Sequence, residues 1–232
     1  GVKEILLEKP GGTTVSELKD LNNSLKRISP DIKIYLAYNR RFYASTKKAK
    51  EIIKEDGGIT SFHFDFTEWT DSIKEENYPR IILSNWFLAN SSHVVDLAFF
   101  LGGHPKKISS IISGANKISW HLNGSSFVGS GSTDKEALFT YNADWDSAGR
   151  WFLEFRTKKR KLIFCPMEEL KEQKRNSVKI ESIVIDNSLD IKFKPGFYEQ
   201  TKSFLENKKG LISLQEHVKR LHFFQSMSGE IN

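Results

Sequence analysis

Asn85 to Gly103, N-W-F-L-A-N-S-S-H-V-V-D-L-A-F-F-L-G-G, constrains this chain more than any other stretch. It reads as one amphipathic helix with a histidine in its first turn. Asn90, Ser91 and Ser92 suit a helix N-terminus, where a short side-chain oxygen accepts from an otherwise unpaired backbone N–H. Gly102-Gly103 is a stop, because glycine enters the left-handed C′ conformation without a Cβ clash. His93, Leu97, Phe100 and Leu101 fall at i, i+4, i+7 and i+8 and share one face, with Asp96 within reach of His93. The positive end of a helix dipole disfavours a second charge on a nearby imidazole. A neutral imidazole accepts a proton near neutral pH, as a general base must. A histidine that only caps the helix or edges the core writes the same pattern, so both readings stand at this point.

Bulk properties narrow the classes. With 232 residues the chain holds one large domain or two small ones. Its net charge is +6, but the basic runs are short (Lys47-Lys48, Lys106-Lys107, Lys158 to Lys161) and form no helical stripe. Nucleic acid is therefore not the expected partner, whereas an anionic small molecule such as a nucleotide sugar is compatible. The single cysteine, Cys165, excludes an internal disulfide and suits a reducing cytoplasm. No apolar run approaches the ~20 residues that span a bilayer, so no membrane partner is expected.

In chain order, Val2 to Leu7 reads as a buried strand running into Glu8-Lys9-Pro10-Gly11-Gly12. A helix follows from a Thr13 or Thr14 cap to about Arg27, and Ile32 to Tyr38 is a second strand. Two strands and one helix do not make an independent doubly wound sheet. The expectation is that residues 1–38 are the tail of a parallel Rossmann-type domain, the chain starting mid-domain. A helix over about Ser45 to Glu55 ends at Gly57-Gly58. Ile59 to Trp69 alternates apolar and polar, as a half-covered strand does, and places His63 on its polar side. Strands are expected at Lys107–Gly114, Glu136–Tyr141, Trp151–Thr157, Lys161–Cys165 and Val178–Ile185. Asn123 to Ser132, rich in glycine and serine, reads as a mobile loop. Phe197–Glu206 and Leu214–Met227 are amphipathic helices. No internal repeat and no metal cluster is seen.

The predicted class is α+β: the tail of a parallel α/β domain, then (residues 39–232) an antiparallel, open-faced sheet with helices packed on one face. A sheet with one bare face is an interface for further copies, so a homodimer or homotetramer through that face is expected.

Three motifs coincide in order: Glu8-Lys9-Pro10 at one strand end, Asn39-Arg40-Arg41-Phe42 at the next, and His93-Val94-Val95-Asp96 opening a helix. Together they resemble the Gfo/Idh/MocA family of nicotinamide-dependent sugar and polyol oxidoreductases, over almost the whole chain. The family's glycine-rich phosphate turn is absent here, and Gly11-Gly12 does not fit G-x-G-x-x-G. The resemblance thus implies that roughly one N-terminal domain is lacking. It also implies an enzyme using NAD or NADP on a sugar, polyol or nucleotide sugar, of which this chain is a fragment inactive alone. Lys9 and His93 would be catalytic. Glu8, Lys9, Pro10, Asn39 and Arg41 would face the cofactor, and Asn90, His93, Trp86 and Trp69 the substrate. Strand-end salt bridging serves Asn39 and Arg41 as well, and core packing serves Trp69, Trp86 and Trp151 better. Many members carry an aspartate four residues before the histidine; here that position is Ala89. A non-catalytic sugar- or partner-sensing regulator, or a dimerisation module of the same fold, is the alternative.

Overall fold

The computed structural model describes residues 1–229. β1 (Glu4–Leu7), α1 (Val15–Ile28) and β2 (Lys33–Leu36) form a right-sized strand–helix–strand unit whose strands pair in parallel, Glu4 opposite Lys33 and Leu7 opposite Leu36. Thr14 caps α1, its hydroxyl accepting from the Glu17 N–H. α2 (Ala44–Glu55) follows a short turn of tight helix at Asn39–Phe42.

β3 (Ser61–Asp65) opens the main sheet. After the short α3 (Arg80–Ser84), the backbone widens into a π-helical turn at Phe87–Ser91 and passes directly into α4 (Ser92–Gly102). Then come β4 (Pro105–Ser113), β5 (Ser126–Thr133), β6 (Leu138–Asp144), β7 (Phe152–Arg156), β8 (Arg160–Phe164), β9 (Lys171–Lys174) and β10 (Ile180–Ser182). The chain closes with α5 (Ser188–Lys192), α6 (Phe197–Glu206), the two-residue β11 (Ile212–Ser213) and α7 (Leu214–Ser228). Ser213 and Glu216 form a reciprocal capping box at the start of α7.

β11 joins β1 and β2 in a three-stranded sheet, and the other strands form an eight-stranded sheet in the order β10-β9-β8-β7-β3-β6-β5-β4. Its inner face is a wall of aromatics, Phe62, Phe64, Phe127, Phe139, Tyr141 and Phe155, all buried. α4 lies on this wall, with Phe99 edge-on to Phe62, Phe64 and Phe139. The other face carries Ile111, Val128 and Leu138 exposed among serines and threonines at one end, and Glu154, Arg156 and Lys161 further along.

Four expectations need correction. The organising stretch is not one helix from Asn85. Ser91 has helical backbone angles and caps nothing, because the chain arrives already coiled. Nor is α4 amphipathic: Val94, Val95, Leu97, Ala98, Phe99 and Leu101 are all buried, as befits a helix enclosed on every side. The glycine–serine segment is β5, in the sheet interior between β4 and β6. A Cβ on Gly131 would sit 2.0 Å from the Lys107 carbonyl oxygen and 2.5 Å from the Phe139 ring, so the strand needs glycine where its neighbours crowd it. Finally the sheet is mixed, since β3 runs parallel to β6 while antiparallel to β7. Gly103 does end α4: it takes φ +102° and its N–H bonds back to Phe99.

Candidate active site

Lys9 follows the carboxyl end of β1, joined to Pro10 by a cis peptide. Its amine donates to the carbonyl oxygen of Ala89 in the π-helical turn. From there its charge, with that of Arg40, acts on the His93 imidazole. The amine and the imidazole therefore converge. Burial, followed by the nearby Arg40 guanidinium, lowers Lys9 to about 8, against smaller opposing pulls from Glu8 and Glu68.

His93 sits between Tyr38, ring centroids 5.9 Å apart, and Trp151, at 6.1 Å. Its Nδ1 is sealed in without a hydrogen-bond partner. Burial first, then the charges of Arg40, Lys9 and Lys194, hold it well below its ordinary value. The imidazole is neutral as the helix argument required, for a different reason: no free helix N-terminus exists here, and desolvation by the surrounding rings does the work.

Glu68 is the carboxylate of the site, 2% exposed. Asn90 donates to both its oxygens at 3.0 Å, Ser91 to Oε1 at 2.6 Å, Trp151 to Oε1 at 3.2 Å and Arg150 to Oε2 at 2.8 Å. Burial raises it, and the bonds from Ser91 and Arg150 oppose that. A stacked ladder runs outward: Arg40 lies 4.6 Å over Trp151, Arg150 lies 4.4 Å over the same tryptophan, and Arg150 also lies 4.7 Å over Trp69. A cleft of about 540 Å³ opens beside Glu68, bounded by Trp69, Asp71, Trp145 and Asp146.

Other residues singled out by sequence fall elsewhere. Arg41 is buried and committed to Asp96, Nε to Oδ2 at 2.6 Å and Nη2 to Oδ1 at 2.5 Å, with Nη1 on the Gly210 carbonyl. Asn39 is buried and donates to the Pro195 carbonyl. Trp86 is a core residue packed on Tyr78 and Trp120. Trp69 is 59% exposed, its indole N–H bonded to the Gly149 carbonyl. Glu8 is exposed and Pro10 half-buried at the loop. Lys9, His93 and Asn90 are thus assembled in one place, and Arg41, Asn39 and Trp86 hold the framework.

Glu68, Arg40 and Arg150 escaped the sequence reading. Glu68 did leave a trace: Phe62, Phe64 and Phe66 point inward on one parity, and Glu68 is next on it. A carboxylate where the pattern calls for an apolar residue marks a buried polar site.

No protein-family model matches the sequence, and no curated protein does. Solved structures do. Levoglucosan dehydrogenase in complex with NADH matches at a TM-score of 0.73 and 16% identity, over 98% of this chain and 71% of that one. An inositol dehydrogenase homologue from Azotobacter vinelandii, complexed with NADH and myo-inositol, matches at 0.71 and 12%, over 98% and 69%. UDP-N-acetylglucosamine 3-dehydrogenase from Acidithiobacillus ferrooxidans matches at 0.66 and 10%, over 97% and 70%. The fold is that of these dehydrogenases. At such identities the likeness is one of fold. The two motif ends that suggested it, at Lys9 and at His93, are adjacent in space. No helix among the described residues is long and apolar enough to cross a membrane, and no metal-binding cluster occurs among them.

Proposed function

We propose that this chain is the substrate-binding part, with the tail of the dinucleotide-binding layer at residues 1–38, of a dehydrogenase acting on a hydroxyl carbon of a sugar, polyol or nucleotide sugar. The observation that carries the reading is the convergence of the Lys9 amine and the neutral His93 imidazole. The named substrates and cofactor of the structural neighbours agree with it.

The fit to a nicotinamide cofactor is partial. Lys9 stands just past the carboxyl end of a parallel strand, where ligands of such sheets bind. Arg41 and Asn39 are spent on internal contacts and have nothing to offer a dinucleotide, and this sequence has no glycine-rich phosphate turn. When bound, NAD or NADP supplies the hydride acceptor. The chain's own residues handle the proton. The His93 imidazole accepts the hydroxyl proton. The Lys9 ammonium, fixed by the Ala89 carbonyl, has donors left for the oxygen on which negative charge builds. Trp151 and Tyr38 keep water from the imidazole's flanks.

The test is nicotinamide absorbance in the full-length protein across sugars and polyols, with His93→Ala and Lys9→Ala. His93→Ala should lower kcat by about 10²–10⁴, the usual worth of a positioned acid–base group. Turnover untouched by both changes would leave a binding or regulatory module. The 232-residue chain itself should show no tight NAD binding by calorimetry.

A further inference from the structure

The site is over-supplied with positive charge. Lys9, Arg40 and Lys194 all act on His93. Of the buried carboxylates close by, Glu68 is already paired with Arg150 and bonded by Asn90, Ser91 and Trp151, and Asp96 is held by Arg41. Lys9 itself is met by the Ala89 carbonyl, a neutral acceptor.

Arg40 is the telling residue. It lies half-buried on Trp151, 4.6 Å from the ring centroid, and its Nε is shut from solvent with no hydrogen-bond partner. Among the described residues its side chain makes no ion pair; Glu168 and Glu68 act on it only from a distance. A guanidinium without a carboxylate in such a place is costly unless something else pairs it. The amides suited to neutral hydroxyls are spent: the Asn90 nitrogen is on Glu68 and the Asn39 nitrogen on Pro195.

The geometry points to a substrate that carries an oxyanion, a carboxylate or a phosphate on the carbohydrate, held by Arg40 with Lys9 beside the hydroxyl to be oxidised. The place of the oxidised carbon rests on the dehydrogenase reading; the oxyanion site does not. Arg presents a planar fork that grips two oxygens at once, and here the Trp151 face fixes its plane.

Calorimetric titration of the 232-residue chain tests this, using matched sets of hexose, hexuronate and hexose phosphate in the gluco, galacto and manno configurations. In at least one set the anionic member should bind tenfold or more tighter than the neutral hexose, and the preference should shrink as salt rises. Whether uronate or phosphate leads decides the source of the oxyanion. Arg40→Gln should remove the preference, and Arg40→Lys should keep part of it. Lys158→Gln, an exposed change on another part of the surface, should leave it intact. Equal binding of neutral and anionic members, no binding by any anionic member, or a preference that survives Arg40→Gln in folded protein would each overturn the inference. An oxyanion preference in a protein that moves no hydride would sink the dehydrogenase reading alone.

Discussion

Burial and neighbouring charges, rather than a helix terminus, set the protonation of Lys9 and His93. His93 is neutral throughout the physiological range, so its titration should leave no acid limb near its ordinary value. Lys9, lowered to about 8, should leave an alkaline one. If the ammonium stabilises developing alkoxide, kcat/KM for alcohol oxidation is level below that value and falls as pH rises through it. Lys9→Arg should move the fall beyond the measurable range, because arginine does not titrate there. Ala89→Asp puts a carboxylate in place of a methyl at the same turn and should raise the lysine, shifting the limb upward by about 1–3 units. A pH profile indifferent to both substitutions would separate Lys9 from the reaction. The lysine and the histidine were legible in sequence because each is embedded in a short motif. Arg40 was not: nothing in Asn39-Arg40-Arg41-Phe42 says which arginine pairs with Asp96 and which stacks on Trp151, since both partners lie far along the chain.

At the scale of elements, the Arg41–Asp96 pair ties the turn before α2 to the middle of α4, with side chains 4% and 2% exposed. Arg220 of α7 approaches the same carboxylate at 3.8 Å. Asp96→Ala would strand a buried guanidinium and should cost about 3–5 kcal/mol, read as a fall in the denaturant midpoint. Gly131→Ala should cost about 1–3 kcal/mol, since its Cβ has no room between β4 and β6. A midpoint unchanged in either variant would contradict these contacts. The same two places mark where sequence pattern stopped serving. α1, α2, α6 and α7 were legible because their apolar stripes are local, as are the Thr14 and Ser213 caps of α1 and α7. β5 was not, because its strand is specified by large residues on its neighbours, Phe139 and Tyr141, rather than by its own. β9, Lys-Glu-Gln-Lys, carries no apolar residue at all and is a strand only through its pairing with β8 and β10. The π-helical turn hides likewise, since Phe87 to Ser91 fits a regular helix equally well on paper.

Over the whole molecule two predictions follow from burial. His217 is enclosed with both ring nitrogens unpartnered, and burial lowers it to about 3. The unfolded chain takes up a proton there below about 6.5 and the folded one does not, so this contribution is intact above 6.5 and is lost progressively as pH falls toward 3. By about pH 5 the loss from His217 alone should be about 2 kcal/mol. Denaturant midpoints across that window should drop less in His217→Phe than in the wild type; parallel curves would reject the assignment. The second concerns the uncovered face of the large sheet. Eight strands at ~4.8 Å spacing make it about 34 Å across. Ile111 and Val128 stand opposite each other in the β4–β5 register, and Leu138 lies on the same face, 68%, 45% and 63% exposed. Serines and threonines surround Ile111 and Val128, Lys107 shares a row with Leu138 across Ser132, and Glu154 is ion-paired with Arg156 and Lys161 further along the same face, so the apolar contact is confined to the β4–β5–β6 end. We propose that this face carries a homodimer or homotetramer, burying close to the ~800 Å² per partner of a standard stable interface. Sedimentation equilibrium should find the chain associated at micromolar concentration. Val128→Glu and Leu138→Glu should shift it toward monomer, because each places a desolvated charge at the centre of the contact. A wild-type chain that stays monomeric at every accessible concentration would mean that some other surface covers those residues, or that nothing does.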